Sequence, residues 1–563
     1  MLIFSRINRN IRSIRRYRTI LGILIKYGFG HIVEQLNINY YLELGRRLVT
    51  LGATPKEIER LTQPERLRLA MEELGPTFIK LGQILSTRPD IVSHEYAEEF
   101  SRLQDRVPSI PLEQLQEQIQ KDLGYPLTEM FAEFSPIPIA AASIAQVHRG
   151  LLKSGEEVVI KVRRPGIKEV VETDLDILMG LAYLIERHLP TGDLLDPIKI
   201  VKEFRRTISR EMDFAREGYT IDRFAANFAD DPTMHVPHVF WDYTGESVLT
   251  MEFIDGIKVS DSLRLASAGA DPKIIARYGA DAFLKQVLVH GFFHGDPHPG
   301  NIFVLENNTI CMLDFGMVGR LDETLKFQLV DLLMAVLHRD VELIISQLLF
   351  SGELSDETRA KDLQRDLSEM IDDYYDLPLQ EVNAGKLLAD FVEILVEYRI
   401  KFPADLMLLA KALVTMEGVG RQLDPEFNMI VHLRPFMEKL FRERKAPASI
   451  TREFTRTFIA YGALARSFPR DFKEFINRIN RNKFKIDLEH RGLERLISDL
   501  DKSSNRLSFS LLIAALIVGS SLIMQTEKGP LLFGFPILGF LGYSIAGFLG
   551  LWLAIAILRS GRL

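Results

Sequence analysis

Cysteine is almost missing from this chain: its 563 residues hold one, Cys311. That excludes an internal disulfide and suits a reducing compartment. Cys311 lies in an apolar run and reads as a buried, inert thiol. Acid is missing from the start. No Asp or Glu precedes Glu34, while Arg6, Arg9, Arg12, Arg15, Arg16, Arg18 and Lys26 crowd residues 1–26. A secretory signal is not readable there, because charges interrupt any apolar core and no small-residue cleavage site follows. Ile3, Ile7, Ile11, Ile14 and Leu21 recur at helical spacing between the arginines. The segment reads as a basic amphipathic helix, with two uses open to it: lying on an anionic membrane, or packing on its own domain. Internal repeats and low-complexity linkers are also lacking.

Apolar residues are abundant at 47%, against a net charge of −7. The excess gathers at the C-terminus. Leu507–Met524 is 18 residues without a charge, and Leu531–Leu558 is 28 more. A bilayer core needs about 20 apolar residues per helix, so each run predicts a membrane span. Only QTEKGP separates them. Lys502 and Arg506 before the first run, with Arg559 and Arg562 after the second, predict a hairpin with both ends in the cytoplasm. Gly542, Ala546 and Gly550 form a small-residue face that lets helices approach closely and permits a homo-oligomer.

Elsewhere, Pro64–Ile84 has a helical pattern with Leu67, Met71, Leu74, Phe78 and Leu81 near one face. Gly75 and Gly82 sit inside it at an entropic cost. VHRGLLKSGEEVVIKVRRPG predicts two strands around a Ser-Gly turn, and HVPHVFWDYTGESVLTMEFIDG predicts more strands. After Asp261 the pattern is helical to about residue 480, apart from residues 292–318. A small β-rich part is thus followed by a larger α-rich part, with a cleft expected between them.

The exception, residues 292–318, carries the chemistry. FFHGDPHPGN places His294, Gly295, Asp296, His298 and Asn301 between apolar runs; thirteen residues after Asn301 come Asp314-Phe315-Gly316, directly behind the strand pattern TICML. A catalytic loop with Asp and a following Asn, then a strand, then D-F-G, is the protein-kinase set. The geometry is needed physically: one Asp orients the attacking group, while Asn and the second Asp hold Mg²⁺ against phosphates. Upstream, VVIK ends in Lys161, which matches the lysine that pairs phosphates and a helix Glu. Met251–Gly256 falls where an interlobe hinge is expected, so Glu252 and Phe253 are candidates to meet the adenine through their backbone. His294, His298 and Gly295 read as loop-shaping residues rather than a zinc site. Two departures from ordinary kinases stand out. IAAASIAQVH replaces a glycine-rich loop before Lys161, and alanine does not adopt positive φ cheaply. No A-P-E follows D-F-G, so the platform for a protein substrate is short or missing.

Four motifs in order make the chain resemble the UbiB family of atypical kinases, also called the AarF-domain family: Lys80-Leu81-Gly82-Gln83 (KxGQ), the alanine loop Ala140-Ala141-Ala142-Ser143, Glu211-Met212-Asp213 (ExD) followed by Glu217, and HGDPHPGN through DFG. The family's AxN is Gly218-Tyr219-Thr220 here. The resemblance covers roughly residues 60–440, and the C-terminal hairpin is like that of many bacterial members. It implies an α+β, atypical two-lobed protein-kinase-like fold, with a helical KxGQ extension and two C-terminal transmembrane helices. The expected division is 1–60 (basic region), 61–135 (KxGQ extension), 136–256 (N-lobe), 257–440 (C-lobe), 441–505 (helical linker) and 506–559 (hairpin). It implies ATP and Mg²⁺ as cofactors, with Asn301 and Asp314 as metal ligands. Asp296, Lys161, Lys80 and Gln83 are implied as catalytic, and Ala140, Ala141, Ala142, Ser143, Lys161, Glu217, Glu252 and Phe253 as nucleotide-binding. Lys80 against Glu211 and Asp213 is implied as a regulatory contact. The implied role is a multi-pass inner-membrane kinase or ATPase, facing the cytoplasm, that supports isoprenoid quinone biosynthesis. Its implied partners are membrane lipids and quinone intermediates or enzymes, not nucleic acid. A protein kinase and a non-hydrolysing nucleotide sensor are the alternatives.

Overall fold

The computed structural model describes residues 2–31, 58, 60–88, 91–103, 108–188, 196–338, 344, 357–375, 384–398, 400, 404–444, 493–525, 530–532 and 535–559. The chain divides into two units, Met1–Ile450 and Thr451–Leu563. The expected linker falls largely on 451–492, outside the described residues.

The first unit opens with helices α1 (Leu2–Lys26), α2 (Gln63–Leu74), α3 (Pro76–Ser86), α4 (His94–Ser101) and α5 (Leu112–Leu123). Thr62 caps α2 in a reciprocal capping box with Glu65. The single helix expected over 64–84 is broken. Gly75 takes φ 95°, a left-handed backbone open to glycine, and Pro76 starts α3 where its missing N–H is no loss. Gly82 does lie within a helix. A Cβ there would come 2.2 Å from Leu103 Cδ1 and 2.9 Å from Met71 Sδ, so glycine lets α3 close onto its neighbours.

Of the two uses open to the basic N-terminal helix, packing is the one its second half takes. Ile20 and Leu21 are buried, and Ile20 joins a core with Met71, Leu74, Phe78 and Phe100. Arg16 reaches Asp174 of α6 (Ile167–His188) at 2.6 Å, and donates to the Leu74 carbonyl. Asp174 is fully buried while Arg16 stays about a quarter exposed. Removing one partner strands a buried charge. Arg16→Ala is therefore expected to destabilise this layer by about 3 kcal/mol, the low end for such pairs, read as a lower melting temperature of the detergent-solubilised protein.

The small lobe is a sheet of β1 (Phe131–Phe134), β3 (Ala145–Leu152), β4 (Glu157–Arg163) and β6 (Val248–Glu252), with β2 (Ala140–Ala141) added to β3. Gly155, at φ 101°, makes the turn between β3 and β4. Val158, Ile160 and Val162 alternate onto one face and are fully buried against Leu115 and Ile119 of α5. Helices α7 (Pro197–Glu211) and α8 (Phe214–Asn227) follow, the second covering the other face of the sheet. The large lobe begins with strand β5 (Met234–His235), β7 (Ile257–Lys258) and helix α9 (Pro272–Leu284), which runs into a π-helical turn, Lys285–Val289. Strands β8 (Phe292–His294), β9 (Ile302–Val304), β10 (Ile310–Met312) and β11 (Val318–Arg320) form two short sheets, ordered β5-β10-β9-β7 and β11-β8. Helices α10 (Glu323–His338), α11 (Glu357–Tyr375), α12 (Ala384–Glu397), α13 (Ala404–Leu423) and α14 (Met429–Arg444) complete it. Cys311 is buried in β10, and burial pushes its thiol well above the ordinary range.

The second unit is a hairpin of α15 (Leu493–Met524) and α16 (Ile537–Arg559). Both helices are long and apolar enough to cross a membrane, with mean hydropathy 2.3 over Ser503–Met524 and 1.8 over Ile537–Ala554. The small-residue face is used within the hairpin. A Cβ on Gly542 would meet Ser520 Oγ at 2.1 Å, and Ala546 is 2% exposed, whereas Gly550 faces open space.

Candidate nucleotide site

Lys161 faces the cleft because it sits out of phase with the buried Val158, Ile160 and Val162 along β4. Strand register extends its row: Ala140, Val147, Lys161 and Leu249 lie side by side across β2, β3, β4 and β6. Ala140 of the alanine loop is therefore two strands from the lysine on the same face. The loop is a tight turn, closed by the Ala142 N–H to the Ala145 carbonyl at 2.8 Å and tied down by Arg164 Nε donating to the Ala142 carbonyl. None of its residues takes a positive φ. Ser143 is fully buried and its hydroxyl has no hydrogen-bond partner.

The Lys161 ammonium joins the lobes. It donates to both oxygens of Glu217 on α8 at 2.9 Å, and to Asp314 Oδ1 at 3.2 Å. Burial alone would lower its pKa; Asp314 and Glu217 outweigh that and raise it. Glu217 is almost wholly buried, which pushes its carboxyl up against the pull of Lys161. Asp314 moves the other way, held well below the usual carboxylate range by Lys161 and, more weakly, by Lys80.

Asp314 has φ 61°, uncommon for a residue with a side chain and worth about 1–3 kcal/mol of strain. Two contacts hold it. Leu313 N–H donates to the Asn301 carbonyl at 2.8 Å, which brings the Asp314 strand end beside Asn301. Phe315 is buried, its ring 4.9 Å from Phe224 of α8 and 5.5 Å from His294. The phenylalanine thus anchors Asp314 to the helix that carries Glu217.

The histidines shape the loop. His294 is fully buried; its Nδ1 accepts the Asp296 N–H at 3.1 Å and its Nε2 meets the Leu313 carbonyl at 3.2 Å. The accepting Nδ1 places the proton on Nε2, and burial lowers the ring pKa, which keeps it neutral. His298 Nδ1 accepts the Gly300 N–H. The π-helical turn contributes Gln286, whose Oε1 accepts the His294 N–H.

The KxGQ helix reaches the site. Lys80 pairs with Glu211 Oε1 at 2.6 Å. Asp213 is the N-cap of α8, accepting from Arg216 N–H. Gln83, expected to be catalytic, instead donates to the Leu103 carbonyl at 3.3 Å; one helical turn from Lys80, it holds α3 to the segment behind α4. The hinge differs similarly. The Glu252 N–H bonds to the His238 carbonyl, and the Phe253 N–H extends the sheet to the Glu157 carbonyl at 3.1 Å. The Glu252 carboxylate accepts from the His238 N–H and lies 3.0 Å from His235 Nε2. Both backbone N–H groups at these positions are thus engaged within the protein. Gly218, where the family has alanine, makes room for Trp241: a Cβ would meet that ring at 3.0 Å, and the Tyr219 ring lies tilted against it, centroids 4.4 Å apart.

The sequence reading missed Lys411. It projects from α13 to Asp296 Oδ1 at 3.1 Å, and Leu408 on the same helix would meet a Cβ on Gly295 at 2.8 Å. Lys411 is the one charge in LMLLAKALV, and that isolation was the available signal.

Models of known families match along the chain: an ABC1 atypical kinase-like domain over 102–348, a UbiB helical domain over 367–428, and an ABC1/UbiB kinase-like C-terminal domain over 491–559. An uncharacterized protein in the hydrogenase 1 5' region of Clostridium pasteurianum is 34% identical over 98% of this chain and 100% of its own length. A probable protein kinase UbiB of Marinobacter nauticus is 35% identical over 85% of this chain and 88% of its own. The chain belongs to the ABC1/UbiB family of atypical kinase-like proteins. A further UbiB relative, from Pseudomonas aeruginosa, is 36% identical over 78% of this chain and 84% of its own. The α+β kinase-like fold of the family is the one described above, with Lys411 inside the UbiB helical domain.

Asp314 and Asn301 suit magnesium. They offer hard oxygen donors, Asp314 is more than half exposed to the cleft, and its depressed pKa keeps it a carboxylate. Mg²⁺ takes one or two protein carboxylates and completes its shell with phosphates and water. Among the described residues no group of three His, Cys, Asp or Glu is arranged for a metal held by protein alone.

Proposed function

We propose that this UbiB-family protein binds Mg·ATP in the cleft and releases or transfers its γ-phosphoryl group in support of isoprenoid quinone biosynthesis, of the ubiquinone or menaquinone type. The observation that carries the reading is Lys161 bridging Glu217 at 2.9 Å and Asp314 at 3.2 Å, which joins the phosphate-binding lysine to the metal side of the cleft. Lys161 would neutralise phosphate charge, with Glu217 fixing its direction. Asn301 and Asp314 would hold Mg²⁺, which would supply positive charge against that of the phosphates. Asp296 would orient the attacking hydroxyl or water. The alanine turn, too stiff to wrap the phosphates as glycine does, would cover them from its place two strands from Lys161 on the same face of the sheet.

The C-terminal hairpin would anchor the protein in the membrane with the kinase-like part in the cytoplasm, near a lipid-borne substrate or the enzymes that act on it. The path from Gly316 to α10 is only β11 and a short turn, so little chain remains to seat a peptide. A small-molecule acceptor, or water, fits that better than a protein.

Phosphate release from Mg·ATP by the full-length protein, with and without anionic vesicles, tests the reading. Turnover that rises with vesicles is expected. Nucleotide binding with no release under either condition would make the protein a sensor. Label transfer to a protein partner, lost in Asp296→Asn, would make it a protein kinase.

A further inference from the structure

Five arginines from three separate elements gather beside the catalytic loop. Arg206 and Arg210 are one turn apart near the end of α7. Arg216 and Arg223 are two turns apart on one side of α8, which starts just after Arg210. Arg320 ends β11. Arg223 and Arg320 share a platform: their guanidinium carbons lie 4.2 and 5.3 Å from the ring centroid of Phe292, the buried first residue of β8. That strand runs straight into the Asp296 loop, and β11 runs out of Asp314–Gly316.

Most of these charges have no acidic partner among the described residues. Among the described residues, Arg206, Arg210, Arg223 and Arg320 have no carboxylate within ion-pair distance; Arg216 has only Asp213, at 3.6 Å. Arg205, on another side of α7, pairs with Asp176 at 2.8 Å, so partners are available where the helix turns toward them. Asp405 also faces the group beside Arg210, and it uses Oδ1 to accept the backbone N–H of Arg320. Burial and the charges of Arg206, Arg216 and Arg320 lower the pKa of Arg210, against Asp405. Like charges held together on rigid elements are unfavourable unless an anion answers them. Arginine rather than lysine at every position suits a phosphate, whose oxygens match the planar fork.

We propose that this cluster is a second anion site, which takes the phosphate or diphosphate group of a ligand other than the nucleotide. It is distinct from the cleft, where Lys161, Asp314 and Asp296 are partnered by one another, Glu217 and Lys411. Its place on β8 and β11 sets a bound anion next to the catalytic loop, where an acceptor or an effector would sit. The proposal stands whether or not the cleft hydrolyses ATP.

Inorganic diphosphate is the probe, titrated calorimetrically into the full-length protein in non-ionic detergent. In Arg206→Gln/Arg223→Gln/Arg320→Gln the dissociation constant is expected to rise about tenfold or more, as loss of charge-assisted bonds implies. It should stay unchanged in Lys161→Met, and binding should weaken with salt. Retained nucleotide binding checks the triple variant's fold; if it does not fold, Arg210→Gln replaces it with a smaller loss in the same direction. Triple-variant affinity within twofold of wild type overturns the site, as does loss of diphosphate binding in Lys161→Met, which would place the anion in the cleft. Flotation with phosphatidylcholine vesicles, with and without phosphatidic acid, separates the sources. Arginine-dependent flotation assigns a lipid headgroup, and diphosphate binding without it assigns a soluble ligand.

Discussion

Asp314→Asn is expected to lower Mg²⁺-dependent phosphate release by about 10³-fold, because a metal ion's charge stabilisation is worth several kcal/mol and each 1.36 kcal/mol is tenfold. The substitution is chosen for its backbone. Asp314 sits at φ 61°, a conformation that asparagine tolerates and alanine does not. The fold should therefore survive. The carboxylate is 57% exposed, so its loss opens no cavity, and Lys161 keeps both oxygens of Glu217. The expected result is a protein that melts near the wild-type temperature, binds nucleotide without metal as before, and gains little from added Mg²⁺. Release within tenfold of wild type would mean that the metal is held elsewhere, and the assignment of Asn301 and Asp314 would fall with it.

This site was legible in the sequence to the extent that its chemistry is local. HGDPHPGN and DFG are short because one tight loop and one strand end must deliver an acid, an amide and a second acid together, and the Leu313–Asn301 backbone bond shows how. The β-then-α order followed from period-2 and period-3.6 patterns. What periodicity cannot show is which distant groups meet. Arg16 looked like one more basic residue on an amphipathic helix with two uses open to it until Asp174 supplied a buried partner. Gln83 shares a motif with Lys80, yet its amide is used on Leu103. The hinge amides at Glu252 and Phe253 depend on how far β6 pairs with its neighbours, a matter of register rather than residue type. The break at Gly75-Pro76 was readable, but apolar spacing that continues through it on both sides hid it.

The cation nobody would place from the motifs is the one with the second large expected effect. Lys411→Ala should reduce kcat by about 10²-fold, the loss seen when one preorganised donor is removed from a site of developing charge, with nucleotide affinity little changed. The ammonium is 3.1 Å from Asp296 Oδ1 and not among the partners of Lys161 or Asp314, so it acts on the catalytic loop rather than on nucleotide binding. As a bond holding the fold it is weak, since both side chains are about a third exposed and such pairs contribute at most about 1 kcal/mol. The packing around it does the holding: Leu408 fills the space a side chain on Gly295 would need. That rigid seat fixes where the lysine points, toward the oxygen of Asp296 that, in the proposed reading, would orient the attacking hydroxyl or water. Lys411→Arg keeps the charge on a longer, planar head and should recover part of the rate. An unchanged kcat in Lys411→Ala would reduce the contact to a surface ion pair. A rise in kcat would instead make Lys411 a latch that occupies Asp296 until an acceptor displaces it.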